Sequence, residues 1–274
     1  MVSRNVVHKQ LCITLTRSKN KGGGVAISAL KNLQPAFVSD GGENAEAVTI
    51  DIYVKNMAIS VTSAYGPQES DSVEKKTQFC KYLHDEAHKA KIYGKGYILQ
   101  GDLNAWLGPN ILPGDLHKQN RNGALFESFL NENKLTCVNS LPITEGLITR
   151  KRKYLNDVKE STLDFYVVCQ RVLPFVTSMK IDNGKSHMLT NYKNVVKGGV
   201  AVNSDHYPLT MNLKLEVAPH KKNKVEIFNF SDTSAQAAFK ELTSNTTAFT
   251  DCFKNVCSVE KSCRYVVKNF KFTL

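Results

Sequence analysis

The sequence predicts a layered α/β (α+β) domain, and three observations carry that prediction. Short β-branched runs alternate with helical patterns through about the first four fifths of the chain, turn residues bound the runs, and 42% of the 274 residues are hydrophobic. Alternation of this kind builds sheets covered by helices, and that apolar share is enough to bury a sizeable core.

Ala47 to Tyr53 and Met57 to Ala64 are β-branched runs separated by Lys55-Asn56, which predicts two adjacent strands joined by a hairpin turn. Asp71 to Lys91 opens on an Asp71-x-x-Glu74 capping box and sets Val73, Phe79, Tyr82, Leu83, Ala87 and Ala90 near one stripe, the pattern of a surface helix packed on a sheet. Gly96 to Gln100 reads as a short buried strand stopped by Gly101. Ala124 to Asn131 repeats the helical pattern with Leu125, Phe126, Phe129 and Leu130, and Val138 begins a further extended segment. Ser161 to Val168 and His206 to Val217 are the last clear strands; in the second, Leu209, Met211, Leu213 and Leu215 alternate with polar neighbours, which implies one buried face. Between them the polar stretch Lys180 to Asn203, with Gly184, Gly198 and Gly199, reads as an excursion or hairpin at the rim. After Pro219 the basic run His220 to Lys224 reads as a linker and Thr233 to Thr250 as a separate helical piece. The expected division is residues 1–217 and 218–274.

Seven cysteines without a Cys-x-x-Cys pair, and no histidine near Cys252, Cys257 and Cys263, suit reduced intracellular thiols better than a zinc site or a disulfide framework. Arg4, His8, Lys9 and Arg17 interrupt the apolar pattern of the first residues, unlike a signal peptide, and no stretch is long and apolar enough to span a bilayer. The expectation is an intracellular chain, nuclear or cytoplasmic, without a membrane partner. A formal net charge of +11 and a pI near 9.2 favour polyanionic partners, because neutralising phosphates releases condensed counterions.

Four short motifs follow one another at predicted strand ends: Tyr65-Gly66-Pro67, Gly101-Asp102-Leu103-Asn104, Ser161-Thr162-Leu163-Asp164 and Ser204-Asp205-His206. Each alone suits an ordinary self-capping turn. Together they suit phosphodiester hydrolysis, which must deprotonate water, neutralise charge on the non-bridging oxygens and stabilise the leaving oxygen. Asp102 can orient or deprotonate the water, and Asn104 can donate to the phosphate. Asp205 offers a hard oxygen to Mg²⁺, and His206 can contact the phosphate with its ring held by Asp164. Arg150-Lys151-Arg152-Lys153 reads as a basic loop before the Asp164 strand, placed to clamp phosphates or simply to be solvated. Trp106, just beyond Asn104, suits packing or stacking on a base or sugar.

This ordered set resembles the endonuclease/exonuclease/phosphatase superfamily, whose Gly-Asp-Phe-Asn stands here as Gly101-Asp102-Leu103-Asn104 and whose Ser-Asp-His is intact at Ser204 to His206. Gly22-Gly23-Gly24-Val25-Ala26-Ile27, Tyr65-Gly66-Pro67 and Asn122-Gly123-Ala124-Leu125-Phe126 are similar to the apurinic-like endonuclease domains of non-long-terminal-repeat (LINE-type) retrotransposons. Glu226-Ile227-Phe228-Asn229-Phe230 resembles the connector towards reverse transcriptase, although no polymerase motif follows it. The resemblance implies a four-layer sandwich of two mixed β-sheets flanked by helices, Mg²⁺ (or Mn²⁺) as cofactor and DNA as substrate. It also implies Asp102 as the water-activating acid, Asn104 and Tyr65 as transition-state contacts, Asp164 as the partner of His206, and Asp205 near the metal.

Members of that superfamily carry an Asn strand, a helix and a Glu-ending strand before the glycine run. Here the run is reached by residue 25, and Glu43 and Glu46 follow it. The expectation is therefore a domain lacking its first strands, with a loosely held cation. A phosphatase or phosphodiesterase of the same fold acting on small phosphates, and a non-catalytic DNA-binding remnant, are the competing readings.

Overall fold

The computed structural model describes residues 2–7, 10–15, 24–42, 45–153, 157–184, 195–197, 200–202 and 204–216. The chain divides into two units, Met1–His220 and Lys221–Leu274, and all described residues belong to the first. The connector motif, the Thr233 to Thr250 helix and the Cys252, Cys257, Cys263 cluster lie outside them.

In chain order the strands are β1 (Val2–Val7), β2 (Gln10–Leu15), β3 (Val25–Leu30), β4 (Ala36–Asp40), β5 (Glu46–Val54), β6 (Met57–Tyr65) and, after helix α1 (Val73–Ile92), β7 (Gly96–Asp102). Helix α2 (Arg121–Asn133) precedes β8 (Leu135–Cys137), β9 (Thr144–Glu145), β10 (Arg150–Lys153), β11 (Val158–Ser161), β12 (Asp164–Cys169) and β13 (Val176–Ile181). The last three are β14 (Val195–Lys197), β15 (Val200–Val202) and β16 (Leu209–Leu213).

The centre is a six-stranded mixed sheet in the order β4-β5-β6-β7-β12-β8, with β6 and β7 parallel and β12 antiparallel to β7. Alternation along the strands separates its two faces. Ala47, Ala64, Leu99, Phe165 and Val167 bury one face under α1 and α2, against Phe79, Leu83, Phe126 and Phe129. Ile59, Ile98 and Val168 on the other face meet Met179 and Ile181 of β13, with β16 packed alongside, while Val48 and Ile50 meet Val25 and Ile27 of β3. This second layer is made of two three-stranded sheets, β1-β2-β3 and β16-β13-β9. The result is an α/β sandwich of mixed sheets and helices, the expected class; among the described residues both α-helices cover the same face.

Several local expectations shift. Two strands precede β3 in a segment whose pattern suggests no element: β2 pairs antiparallel with β3, and β1 pairs antiparallel with β2. The first helix takes Ser72, not Asp71, as its N-cap: Ser72 Oγ accepts from the Lys75 amide, while Asp71 accepts from the Gln68 amide and pairs with Lys75. Gly101 does not stop its strand, since β7 runs on to Asp102. Val138 begins a 3₁₀ turn rather than a strand, because Leu141 N–H reaches back to Val138 C=O. The run Ser161 to Val168 is two strands of different sheets, parted at Thr162-Leu163. Arg150 to Lys153 is a strand, not a loop, hydrogen-bonded to β11 in a hairpin. Within the stretch Lys180 to Asn203, β14 and β15 pair antiparallel, and residues 185–194 lie outside the described residues.

Candidate active site

Sheet register brings the motifs together. Tyr65 stands beside Asp102 across the parallel β6 and β7, Asp102 stands beside Asp164 across β7 and β12, and Glu46 stands beside Tyr65 across β5 and β6. Neighbours in register point to the same face, and here that face is the one shared with Ile98 and Val168, toward the second layer. A single row at one strand-end edge thus holds four polar residues that span more than a hundred sequence positions.

Two glycines make this edge close-packed. Gly66 N–H donates to Asp102 C=O at 2.7 Å, and a Cβ on Gly66 would lie 2.2 Å from the Leu103 carbonyl oxygen. Gly101 has φ +140° and would put a Cβ 1.9 Å from the Ala64 carbonyl oxygen, so only glycine fits there. Past β7, Asn104 takes a left-handed φ of 48°, its N–H donating to Asp102 Oδ1 at 3.0 Å and its side-chain amide to Gly66 C=O at 2.8 Å.

The Ser-Asp-His segment reaches this row through β10. Lys151 N–H donates to Asp205 C=O and Tyr207 N–H to Thr149 C=O, so residues 205–207 run antiparallel to 149–151. His206 then directs Nδ1 to Asp164 Oδ2 at 2.9 Å, with Nε2 3.8 Å from Asp102 Oδ2 and 3.9 Å from Asp205 Oδ1. Arg150 Nε donates to the other oxygen of Asp205 at 2.9 Å.

These neighbours set the charge states. Burial, with the Asp164 carboxylate close by, pushes the Asp102 carboxyl up to about 6. Burial alone would lower His206, but the hydrogen bond to Asp164 and the carboxylates of Asp164, Asp102 and Asp205 outweigh it and raise the imidazole above its ordinary value. Burial alone would likewise raise Asp205, yet the Arg150 guanidinium holds it below the usual carboxylate range.

The structure therefore gathers Asp102, Asn104, Asp164, Asp205 and His206, with Tyr65 in the adjoining strand. The four basic residues are not equivalent. Arg150 faces the cluster through Asp205, Lys151 faces away onto Glu160, Arg152 is exposed, and the side chain of Lys153 lies outside the described residues.

Three supporting residues escaped the sequence reading. Thr149 is fully buried; its Oγ1 accepts from the amides of both Leu163 and Asp164, while its carbonyl holds Tyr207. Asn139 donates to Asp164 C=O and accepts from Tyr166 N–H, fixing the start of β12. Asn122 donates to both Pro67 C=O and Asn104 C=O, tying two motifs together. Asn122 lies in a quoted motif, whereas Thr149 and Asn139 stand alone in the sequence with no pattern to mark them.

Ligand atoms of Asp102, Asp164 and His206 lie within 4.8 Å of one another, a grouping able to hold a metal ion. Asp205, the residue expected beside the metal, is outside this trio and gives one oxygen to Arg150. No helix of the described residues is long and apolar enough to cross a membrane.

No family model matches the sequence, and no curated protein matches it. Solved structures do share its fold. The endonuclease domain of TRAS1, a telomere-specific non-LTR retrotransposon, superimposes with a TM-score of 0.52 at 17% identity, over 76% of this chain and 81% of that one. The 3′-5′ exonuclease NExo from Neisseria meningitidis gives 0.52 at 16% identity, over 75% and 80%. The AP endonuclease LMAP from Leishmania major gives 0.54 at 13% identity, over 76% and 71%.

Proposed function

We propose, from the premise that this chain carries the endonuclease/exonuclease/phosphatase fold, that it hydrolyses DNA phosphodiesters with the help of a divalent cation, as the endonuclease of a LINE-type element. The observation that carries the reading is the meeting of Asp102, Asp164 and His206 at one sheet edge, with Asn104 and Asp205 around them. A buried carboxyl with its pKa near 6 is matched to a base at neutral pH, where it is mostly ionised yet still holds a proton well.

In this reading a water lies against Asp102, which takes its proton as the oxygen attacks phosphorus. Asn104 has one amide hydrogen committed to Gly66 and directs the other to a non-bridging oxygen, and the Tyr65 hydroxyl approaches from the neighbouring strand. His206 is held in one ring orientation by Asp164, and the surrounding carboxylates favour its charged form, whose Nε2–H would meet the phosphate where negative charge grows. Carboxylate oxygens suit Mg²⁺ or Mn²⁺, and Asp205, whose Oδ1 is not the oxygen bonded to Arg150, would hold the cation beside the base Asp102. Bound there, the cation would neutralise phosphate charge. A net charge of +11 and the Arg150 to Lys153 strand favour DNA over small phosphates.

Nicking of supercoiled plasmid with Mg²⁺ or with a chelator tests the reading directly. Cleavage should require the cation and vanish in Asp102→Ala and His206→Ala. DNA binding without any cleavage would favour a binding-only remnant, and hydrolysis confined to small phosphate esters would favour the phosphatase alternative.

A further inference from the structure

An open cavity of about 590 Å³ adjoins Asn104, within the roughly 300–1,000 Å³ range of small-ligand sites. Trp106, Leu116 and His117 line it from the segment after β7, and Arg150, Arg152 and Val158 line it from the β10–β11 hairpin. Trp106 is 38% exposed and Leu116 96% exposed, so both present apolar surface to the cavity.

The aromatic side of this cavity is built rather than incidental. The Trp106 and His117 rings lie 4.9 Å apart at a tilt of 36°. His117 is oriented in turn by the buried Asp115, whose Oδ1 accepts from the His117 Nδ1 at 2.8 Å and from its backbone N–H at 3.0 Å. The Trp106 backbone is clamped by Asn120, whose side chain accepts from Trp106 N–H and whose N–H donates to Trp106 C=O. A planar, partly exposed surface is thereby fixed two residues from the proposed phosphate contact.

We propose that Trp106, backed by His117, is a stacking platform for an unpaired base next to the phosphate held at Asn104, so that the chain takes single-stranded or locally opened DNA in preference to intact duplex. This deepens the DNA reading above and rests on it. Every base offers a π face that stacks on an aromatic ring, and in an intact duplex both faces are already covered by neighbouring bases. The same lining carries Arg150, Arg152 and Lys159 beside Glu69 and Glu160, so cations stand within reach of the backbone of the same nucleotide.

Trp106 is the sole tryptophan of the chain, so its emission reports this contact alone. The full chain is titrated, with a chelator present to prevent cleavage, with oligothymidylate, an intact duplex and a duplex carrying a short bulge. Anisotropy of the labelled DNA is followed in parallel. Oligothymidylate and the bulged duplex should quench the emission, and the intact duplex should bind with little quenching. Trp106→Ala should weaken binding of oligothymidylate about tenfold, with Trp106→Phe close to the parent. Binding seen by anisotropy with unchanged emission, or equal quenching by intact duplex, overturns the platform and leaves the DNA reading standing. Absence of binding to every DNA overturns both.

Discussion

His206 and Asp164 meet at 2.9 Å although 42 positions separate them in sequence, and the contact is made by an imidazole Nδ1 on a carboxylate oxygen. The pair ties the Ser204 to His206 segment, bridged to Arg150 of β10, to the central sheet at the edge where Asp102 and Tyr65 already stand in register.

Removing this partner should change the histidine measurably. The Asp164 hydrogen bond is the largest of the influences raising His206, so Asp164→Asn should move its NMR titration downward in the metal-free protein. Because the folded value is raised, the pair's contribution to stability is fully present below the unfolded histidine value of about 6.5 and is lost as pH rises through the folded value. The destabilisation caused by Asp164→Asn should accordingly be larger at pH 5.5 than at pH 9. Equal losses at both pH values would refute the coupling.

Asp102 gives a prediction of opposite sense. With its carboxyl pushed up to about 6, the ionised base is lost as pH falls through that value, so nicking should decline on the acid side with a limb near pH 6. Asp102→Asn should lose cleavage by a factor of about 10² or more while retaining DNA binding. A pH profile flat across this region would remove Asp102 from the role of base.

The motifs were legible because each is a run of several residues: Gly101 to Asn104 and Ser204 to His206 read locally, and sheet register, with the bridge from residues 205–207 to 149–151, brought them together. Turn chemistry was also legible in Gly66, where a Cβ would strike the Leu103 carbonyl oxygen, but not in Gly101, which reads as a strand end and lies within β7 against the Ala64 carbonyl. Tertiary hydrogen bonding was not. That Arg150 lies in a strand, with its guanidinium on Asp205, depends on residues 55 positions apart, and a run of four basic residues looks equally like a solvated loop. Thr149 shows the same limit, since nothing around it in sequence marks a hydroxyl that receives two amides from the other side of a hairpin.

Thr149 should therefore matter more than its lack of chemistry suggests. Thr149→Val keeps the shape but leaves the amides of Leu163 and Asp164 without their acceptor, at a cost of about 1–3 kcal/mol for each buried group. Urea unfolding should show a lower midpoint at an unchanged slope. Thr149→Ser, which keeps the hydroxyl, should recover most of the loss; a valine variant as stable as the parent would show that these bonds contribute nothing net.

The basic hairpin should divide by partner rather than act as a uniform patch. Affinity for duplex DNA should fall steeply with salt, as expected when phosphates displace condensed counterions. Lys151 is turned onto Glu160, so Lys151→Ala should change the log–log salt slope by about one phosphate contact or less and leave cleavage near the parent rate. Arg150→Ala removes the cation that holds Asp205 below the usual carboxylate range, so the Asp205 carboxyl should rise toward its ordinary value. At neutral pH Asp205 remains ionised but uncompensated, and repels the DNA backbone at the cleavage point. Arg150→Ala should then lose both affinity and nicking rate, with part of the affinity regained when a divalent cation replaces the missing charge. Anisotropy across a salt series, with and without Mg²⁺, measures this. Identical behaviour of the two alanine variants would mean that Arg150 is only another surface charge, and salt-independent binding would remove the electrostatic basis for DNA altogether.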